Sequence, residues 1–360
     1  MRVHRILPTG PSIDAVAWAR FRSLDGGVIE GSGVGAITHD IDDLTSGFWA
    51  VVVTFEGQLT AVRMASVKRT AQAGPAPVEW TGVAGEWSTS LDDTAYVEGV
   101  EEIRERIARG TVYQVNLCRV LSAEIGDQRI RGLGDVLAQG NPAPYAATID
   151  IPEAGLEIAS ASPEAYLVRR GTTVTSSPIK GTAATAAEML PKDFAENVMI
   201  VDLVRNDLQH VCRPGTVRVD DLCRVEQHPG LVHLVSDVSG ELRGGATWRE
   251  VLDASFPPGS VSGTPKHTAL QTISDLEPVA RGPYCGAIGW IDADRDEALL
   301  AVGIRTFWAE VDSDGRRRLR FGTGAGITWG SDPQGELHET ELKAARLVSL
   351  ARGGSGKVAP

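Results

Sequence analysis

The sequence predicts an α+β fold, a layered α/β sandwich with largely antiparallel sheets. Strand-like runs crowd both the first ninety and the last hundred residues. Helical segments are interspersed, but they do not alternate strictly with the strands as a doubly wound parallel sheet requires. The 360 residues, 42% hydrophobic and 23% charged, suffice for a large core.

Taken in order, FWAVVVTFEGQLTAVRMAS (48–66) gives two strands about a Glu56-Gly57-Gln58 turn. AQAGPAPVEWTG (71–82) is a loop by its Pro and Gly content. In LDDTAYVEGVEEIRERIARG (91–110), Tyr96, Val100, Ile103 and Ile107 recur at helical spacing, with acids before and Gly110 after: an amphipathic helix with a glycine stop. TVYQVNLCRVLSAE (111–124) follows as a strand. Further strands are expected at 156–169, 216–219, 285–292, 297–305 and 318–323, and helices at 192–208, 247–254, 265–275 and 335–351. The organisation expected is a short β-rich portion of the same fold over 1–90, a main region over 91–352 and a disordered tail, GGSGKVAP, over 353–360.

Composition excludes several classes. The net charge of −12, from 35 basic and 47 acidic residues, argues against a nucleic-acid surface. No apolar run approaches the ~20 residues that span a bilayer, and MRVHRILPTGPSIDAV has no signal-peptide core, so no membrane association and a cytoplasmic location are expected. Cys118, Cys212, Cys223 and Cys285 are scattered, without zinc-site or disulfide-framework spacing.

Five places carry candidate chemistry. In SSPIKGT, Lys180 sits in a Pro-x-x-Gly-Thr turn. A lysine crowded by backbone loses hydration and basicity, which makes it a candidate nucleophile or base; the alternative is a solvated loop lysine. In ELHETELKAARLVSL, Glu336, Glu339 and Lys343 share a helical face, opposite a core stripe of Leu342, Ala345, Leu347 and Leu350. Such a face could hold a hard divalent ion or form a surface ion pair. Asp193 and Glu196, one turn apart, are a second acidic pair or ordinary helix-dipole partners. His233 lies in an apolar strand-like run and reads equally as a core histidine. Arg305 ends a buried-looking strand and needs an anion, from the protein or from a substrate. GSGVGA (31–36), FPPGSVSGTPK (256–266) and FGTGAGI (321–327) are glycine-rich, and none is a phosphate-binding P-loop.

Ten stretches resemble, in order, the chorismate-utilising enzymes, which include anthranilate synthase component I, isochorismate and salicylate synthases, and aminodeoxychorismate synthase component I. They are GTVYQVNL, SPE (162–164), SPIKGT, KDFAENVMIVDLVRNDL, PGLVHLVSDVSG, FPPGSVSGTPK, YCGAIGW, VGIRTF, GTGAGITW and ELHETELKA, spanning roughly 95–350. The resemblance implies the anthranilate synthase component I-like fold and a chorismate-binding catalytic region. Lys180 resembles the aminodeoxychorismate synthase branch, where anthranilate synthases carry alanine. Gln114 stands where isochorismate and salicylate synthases place a basic lysine.

Carried over, the resemblance implies amination of chorismate at C4, with Lys180 as nucleophile at C2 and Glu164 as general acid. It implies Mg²⁺ on Glu196 and Glu339, supported by Asp193 and Glu336. Gly181, Thr182, Lys343, Gln114, Arg305, Tyr284 and the Gly324-Ala325-Gly326 segment would contact substrate, and His233 would orient it or tune Glu164. No amidotransferase motif is visible, so a glutamine amidotransferase subunit is the expected partner and ammonia source. The alternatives are anthranilate synthase component I, or a non-catalytic chorismate- or amino-acid-binding partner of an amidotransferase.

Overall fold

The structure, a computed structural model, describes residues 17–72, 79–183, 185–228 and 231–354. The expected tail therefore lies outside the described residues from 355 on, as does part of the loop expected at 71–82. The strands β1 (Trp18–Arg22), β2 (Val28–Thr38), β3 (Phe48–Val53), β4 (Leu59–Thr70) and β5 (Ser88–Thr89) precede α1 (Asp93–Ala108), β6 (Gln114–Glu124) and α2 (Ile130–Gly140). Next come β7 (Ala147–Ile151), β8 (Leu156–Ser160), β9 (Ala165–Arg170), β10 (Thr173–Ser177), β11 (Ile179–Ala183) and α3 (Pro191–Gln209). β12 (Arg218–His228), β13 (Leu231–Glu241), α4 (Trp248–Ser255), β14 (Gly263–Thr264) and α5 (Lys266–Leu276) follow. The last elements are β15 (Ala287–Asp292), β16 (Glu297–Val302), β17 (Thr306–Val311), β18 (Arg317–Ile327) and α6 (Pro333–Ala351).

All pairings among the described strands are antiparallel. One ladder runs β12–β13–β10–β9–β16–β15–β3–β4–β2–β1–β7–β8–β17–β18–β6, with β11 beside β13 and with β5 and β14 on β6. β3, β7 and β15 are buried at every position, as strands covered on both faces must be. Helices cover the layers outside: α3 on β11, β12 and β13, α6 on β18, α1 and α5 on β6, and α2 on β7 and β8. The two ends of the ladder face each other, since a Cβ placed on Gly326 of β18 would lie 3.2 Å from Lys180 Nζ of β11. That juncture is where the site forms. No helix among the described residues is long and apolar enough to cross a membrane.

Several expectations are corrected. The strand expected over 156–169 is two, β8 and β9, broken at Ala161–Glu164. The strand expected over 297–305 ends at Val302, so Arg305 lies in the link to β17 rather than on a strand. Lys180 belongs to β11, not to a turn. The strand expected over 216–219 extends to His228. On α6, Leu342 is 63% exposed and Ala345 is exposed too. Leu347 and Leu350 are buried as expected, and the rest of the buried stripe is Leu337, Thr340, Ala344 and Ala351. Thr340 is its disguised member: its hydroxyl donates to Leu337 O, and its carbonyl accepts from Thr323 Oγ1 at 2.8 Å. α2, over IRGLGDVLAQG, is not among the helices expected from the sequence. Gly134 is there for close packing, since a Cβ on it would fall 2.2 Å from Thr148 Oγ1.

Candidate active site

The Ser-Pro-Glu break between β8 and β9 aims Glu164 inward. Ser162 Oγ donates to Val302 O at 2.6 Å, and Val302 N donates to Glu164 O at 3.0 Å, so the break is pinned to β16. Glu164 is buried, and Ser260 Oγ donates to its Oε1. Burial pushes the Glu164 carboxyl up to about 7, although the Ser260 hydrogen bond and the Lys180 charge pull the other way.

Lys180 is presented by an irregular strand. The pairing of β11 with β13 shifts register between Ile179 and Thr182, and such irregularities re-aim side chains. Gly181 follows with φ +86°, a conformation costly for any residue with a Cβ, and a Cβ there would sit 2.9 Å from that of Asp193. The backbone of Thr182 stands opposite His233; its side chain lies outside the described residues. Lys180 keeps partial exposure in the cleft, yet desolvation lowers its pKa. Glu196, Glu164 and Glu339 oppose that shift, and Lys343 reinforces it. Among the described residues Lys180 makes no ion pair within bonding distance, so the carboxylates act on it through space.

Two helices supply the acids. On α3, Asp193 Oδ2 accepts from Leu190 N at 2.8 Å and so serves the helix start. Glu196, one turn on, is half-buried; burial raises its pKa against the pull of Lys180 and Lys192. On α6, buried Glu336 accepts from Ser331 Oγ at 2.6 Å and is likewise raised by burial. Glu339 is 2.7 Å from Lys343. Burial pushes Glu339 up, but the charge and hydrogen bond of Lys343 prevail and lower it. Lys343 also donates to Gly324 O at 3.0 Å, tying α6 to β18.

Among the described residues no three Asp, Glu, His or Cys side chains are gathered closely enough to hold a metal ion. The donor chemistry nevertheless suits a hard dication. Glu196 and Glu339, from separate helices, feel each other's charge across the cleft, and a magnesium-type ion takes one or two carboxylates and fills its shell with water and substrate oxygens.

Arg305 and His233 meet at the rim of this group. Arg305 has φ +52°, a strained value for a side chain of its size, and its Nη2 donates to His233 Nε2 at 3.3 Å. It forms no salt bridge among the described residues, and desolvation lowers its pKa. The open choice of partner thus narrows, because no carboxylate among the described residues neutralises it. Gln114 is fully buried with neither amide atom bonded among the described residues, and a Cβ on Gly326 would lie 2.7 Å from its Nε2. An unsatisfied buried amide costs about 1–3 kcal/mol, so this one is placed for water or a ligand. β17 leaves β18 after Phe321, so the second edge of Gly324 and Gly326 is unpaired among the described strands, while Ala325 turns into the core. Tyr284 is buried against β18. Its ring fills the space a Cβ on Gly322 would need, 2.1 Å away, and burial raises its pKa well above the usual phenol value.

Residues 43–349 match a family model described as chorismate binding enzyme. The chain belongs to the chorismate-binding enzyme family. It is 36% identical over 283 residues to an anthranilate synthase component 1 of Synechocystis, covering 74% of this chain and 55% of that one. It is 34% identical over 273 residues to an aminodeoxychorismate synthase component 1 of Bacillus subtilis, covering 72% and 56%. The chain thus spans little more than half the length of these relatives. The fold is that of the menaquinone-specific isochorismate synthase of Escherichia coli, with a TM-score of 0.81, 19% identity and coverage of 93% and 88%.

In this family member the residues missed from sequence are Ser260, Asn116 and Ser331. Asn116 Nδ2 donates to Ser260 O and Ser262 O at 3.2 and 3.3 Å, bracing the loop that holds Glu164. Ser260 lies in FPPGSVSGTPK, a segment read for its glycines and its family resemblance but not for its serines.

Proposed function

We propose that the chain aminates chorismate at C4, giving 4-amino-4-deoxychorismate, with ammonia delivered by a glutamine amidotransferase partner. The observation that carries this reading is the pairing of a desolvated Lys180 with a buried Glu164, whose shifts run toward neutral amine and neutral acid. Those are the protonation states the reaction needs. The Lys180 nitrogen forms a bond to C2 while the C4–O bond breaks, and Glu164 gives its proton so that the hydroxyl departs as water. Ammonia then bonds to C4 and displaces the lysine. Arg305, which has no anion partner among the described residues, takes a substrate carboxylate, and the edge of β18 left unpaired among the described strands offers backbone donors. Glu196 and Glu339 would hold Mg²⁺, supported by Asp193 and Glu336, and the ion would supply positive charge to a second carboxylate.

The test is mass spectrometry of the product formed from chorismate, Mg²⁺ and ammonium. A 4-aminated product that retains the enolpyruvyl group is expected. Anthranilate, seen by its fluorescence with pyruvate released, would overturn the C4 assignment in favour of the second reading, which the identity to anthranilate synthase components supports.

A further inference from the structure

A second, small cavity touches Glu164 but none of Lys180, Glu196, Arg305 or Gly326. Its room for water, ≈ 20 Å³, matches roughly one molecule. The polar lining is Glu164, Tyr166, Ser176, Asp207, Ser255 and Ser260. Asp207 is the one acid in the buried stripe of α3, among Ile200, Val201, Val204 and Leu208. Its Oδ2 accepts from Lys266 Nζ of α5 at 2.8 Å, and Lys266 also donates to Ser255 O at 3.0 Å. Ser255 Oγ donates to Val251 O at 2.7 Å, so the Tyr166 hydroxyl, 2.6 Å away, donates to it. The Lys266 and Asp207 side chains keep 20% and 10% exposure and so reach solvent. A buried ion pair is weak evidence for stability, because desolvation offsets much of its attraction, and nothing in the amination chemistry uses this one.

We propose that the cavity holds one ordered water bridging Glu164 to Asp207, so that the acid exchanges its proton with solvent through the back of the site while substrate fills the front. The inference rests on the proposed use of Glu164 as acid. After Glu164 has given up its proton, an O–H bond of the water breaks toward its carboxylate. The water regains a proton that the Asp207 carboxylate has taken up from solvent, and Asp207 returns to its ion pair with Lys266. One proton moves from solvent to Glu164, and nothing is oxidised or reduced. Glu164 faces Lys180 of β11 and the Ser260 hydroxyl; Asp207 faces Lys266 of α5, His210 at the end of α3 and Tyr166 of β9. Burial raises both carboxyls, Glu164 to about 7, which lets each hold a proton closer to neutrality than a free carboxyl would. Asp207 and Ser260 are positioning residues here and do not touch substrate.

The decisive variant is Asp207→Asn with Lys266→Met, which removes the relay without stranding a buried charge. With chorismate and ammonium, kcat is expected to fall about tenfold with KM within about twofold. The solvent deuterium isotope effect on kcat should grow, and the limb of the pH profile near 7 should move. Wild-type kcat, pH profile and isotope effect in this double variant would overturn the relay. A high-resolution crystal structure of the wild-type protein is the second measurement and needs no activity. Density for a water within hydrogen-bond distance of both carboxyls is expected, and a dry cavity overturns the proposal. Absence of amination by the wild-type protein would instead strike the proposed function, so the two failures are distinguishable.

Discussion

On the α6 wall of the cleft, Lys343 lies 2.7 Å from Glu339, and both side chains are close to half exposed. On the β11 wall, Lys180 has acids around it and no ion pair among the described residues, and Glu164 meets the Ser260 hydroxyl. The residue types are the same and the electrostatic outcome is opposite. Exposed pairs of the first kind contribute about 0–1 kcal/mol and remain charged. Desolvation on the second wall moves Lys180 down and Glu164 up, toward an uncharged amine beside an uncharged acid. Burial, more than residue identity, separates a wall that can react from one that holds and orients.

The sharpest way to break this comparison is to remove the two lysines in turn. Lys180→Ala is expected to lower product formation by roughly three orders of magnitude or more, because removing a nucleophile restores the undivided barrier at ~1.4 kcal/mol per tenfold. Lys180→Arg should not recover it, since charge returns without nucleophilicity. Intact-mass spectrometry should trap a lysine–substrate adduct in the wild type alone. Near-normal amination by the arginine variant, with no adduct, would make Lys180 another orienting charge and erase the difference between the walls.

Glu164→Gln comes next, with an expected loss of about 10²–10³ in kcat. As the proposed acid, Glu164 would work in its protonated form, so wild-type activity should fall as pH rises through about 7, and the variant should lose that limb. Stability follows the same sign. A carboxyl whose folded pKa is raised favours the folded state at low pH, and that contribution disappears as pH climbs toward about 7. The melting temperature of the wild type should therefore drop relative to Glu164→Gln between pH 5 and pH 7, and parallel curves would contradict the burial effect.

Glu196→Gln and Glu339→Gln probe whether one ion bridges the walls. Each amide removes one anionic oxygen, and each variant is expected to weaken Mg²⁺ binding by about tenfold or more in calorimetry. The fold, followed by circular dichroism, should be unchanged. Unaltered Mg²⁺ affinity in both would leave the acids as charge partners of the lysines only.

How much of this was legible in the sequence differs between the walls as well. Helical periodicity placed α3 and α6 within two residues at each end, and it put Glu336, Glu339 and Lys343 on one face. The β11 wall depends on contacts that no local pattern encodes. Ser260 reaches Glu164 across 96 residues of chain, and Arg305 reaches His233 across 72. Lys180 looked like part of a turn because its strand is short, follows Pro178 and carries an irregularity where the lysine leaves. Even on α6 the core stripe was misjudged, because the pattern counted Leu342 and overlooked Thr340. Motif order conveyed the family; the solvation that distinguishes the two lysines exists only once the ladder ends meet.

The smallest effect belongs to Lys343→Met. Its ammonium bonds Glu339 and Gly324 O, but its side chain is 44% exposed and its partner 50%. The stability change should stay within about 1 kcal/mol, a shift in melting temperature that scanning calorimetry resolves. Binding should suffer more. Lys343 holds Glu339 down as a carboxylate and presents positive charge to the cleft, so its loss is expected to raise KM for chorismate by about tenfold with kcat nearly kept, the pattern of lost uniform binding. The same substitution should also relieve Lys180 of a like charge that helps lower its pKa. The amine would then hold its proton to higher pH, and the acidic limb of the activity profile should move upward. A fall in kcat as large as that of Lys180→Ala would mean that the α6 wall takes part in bond making, and the division between the walls would not stand.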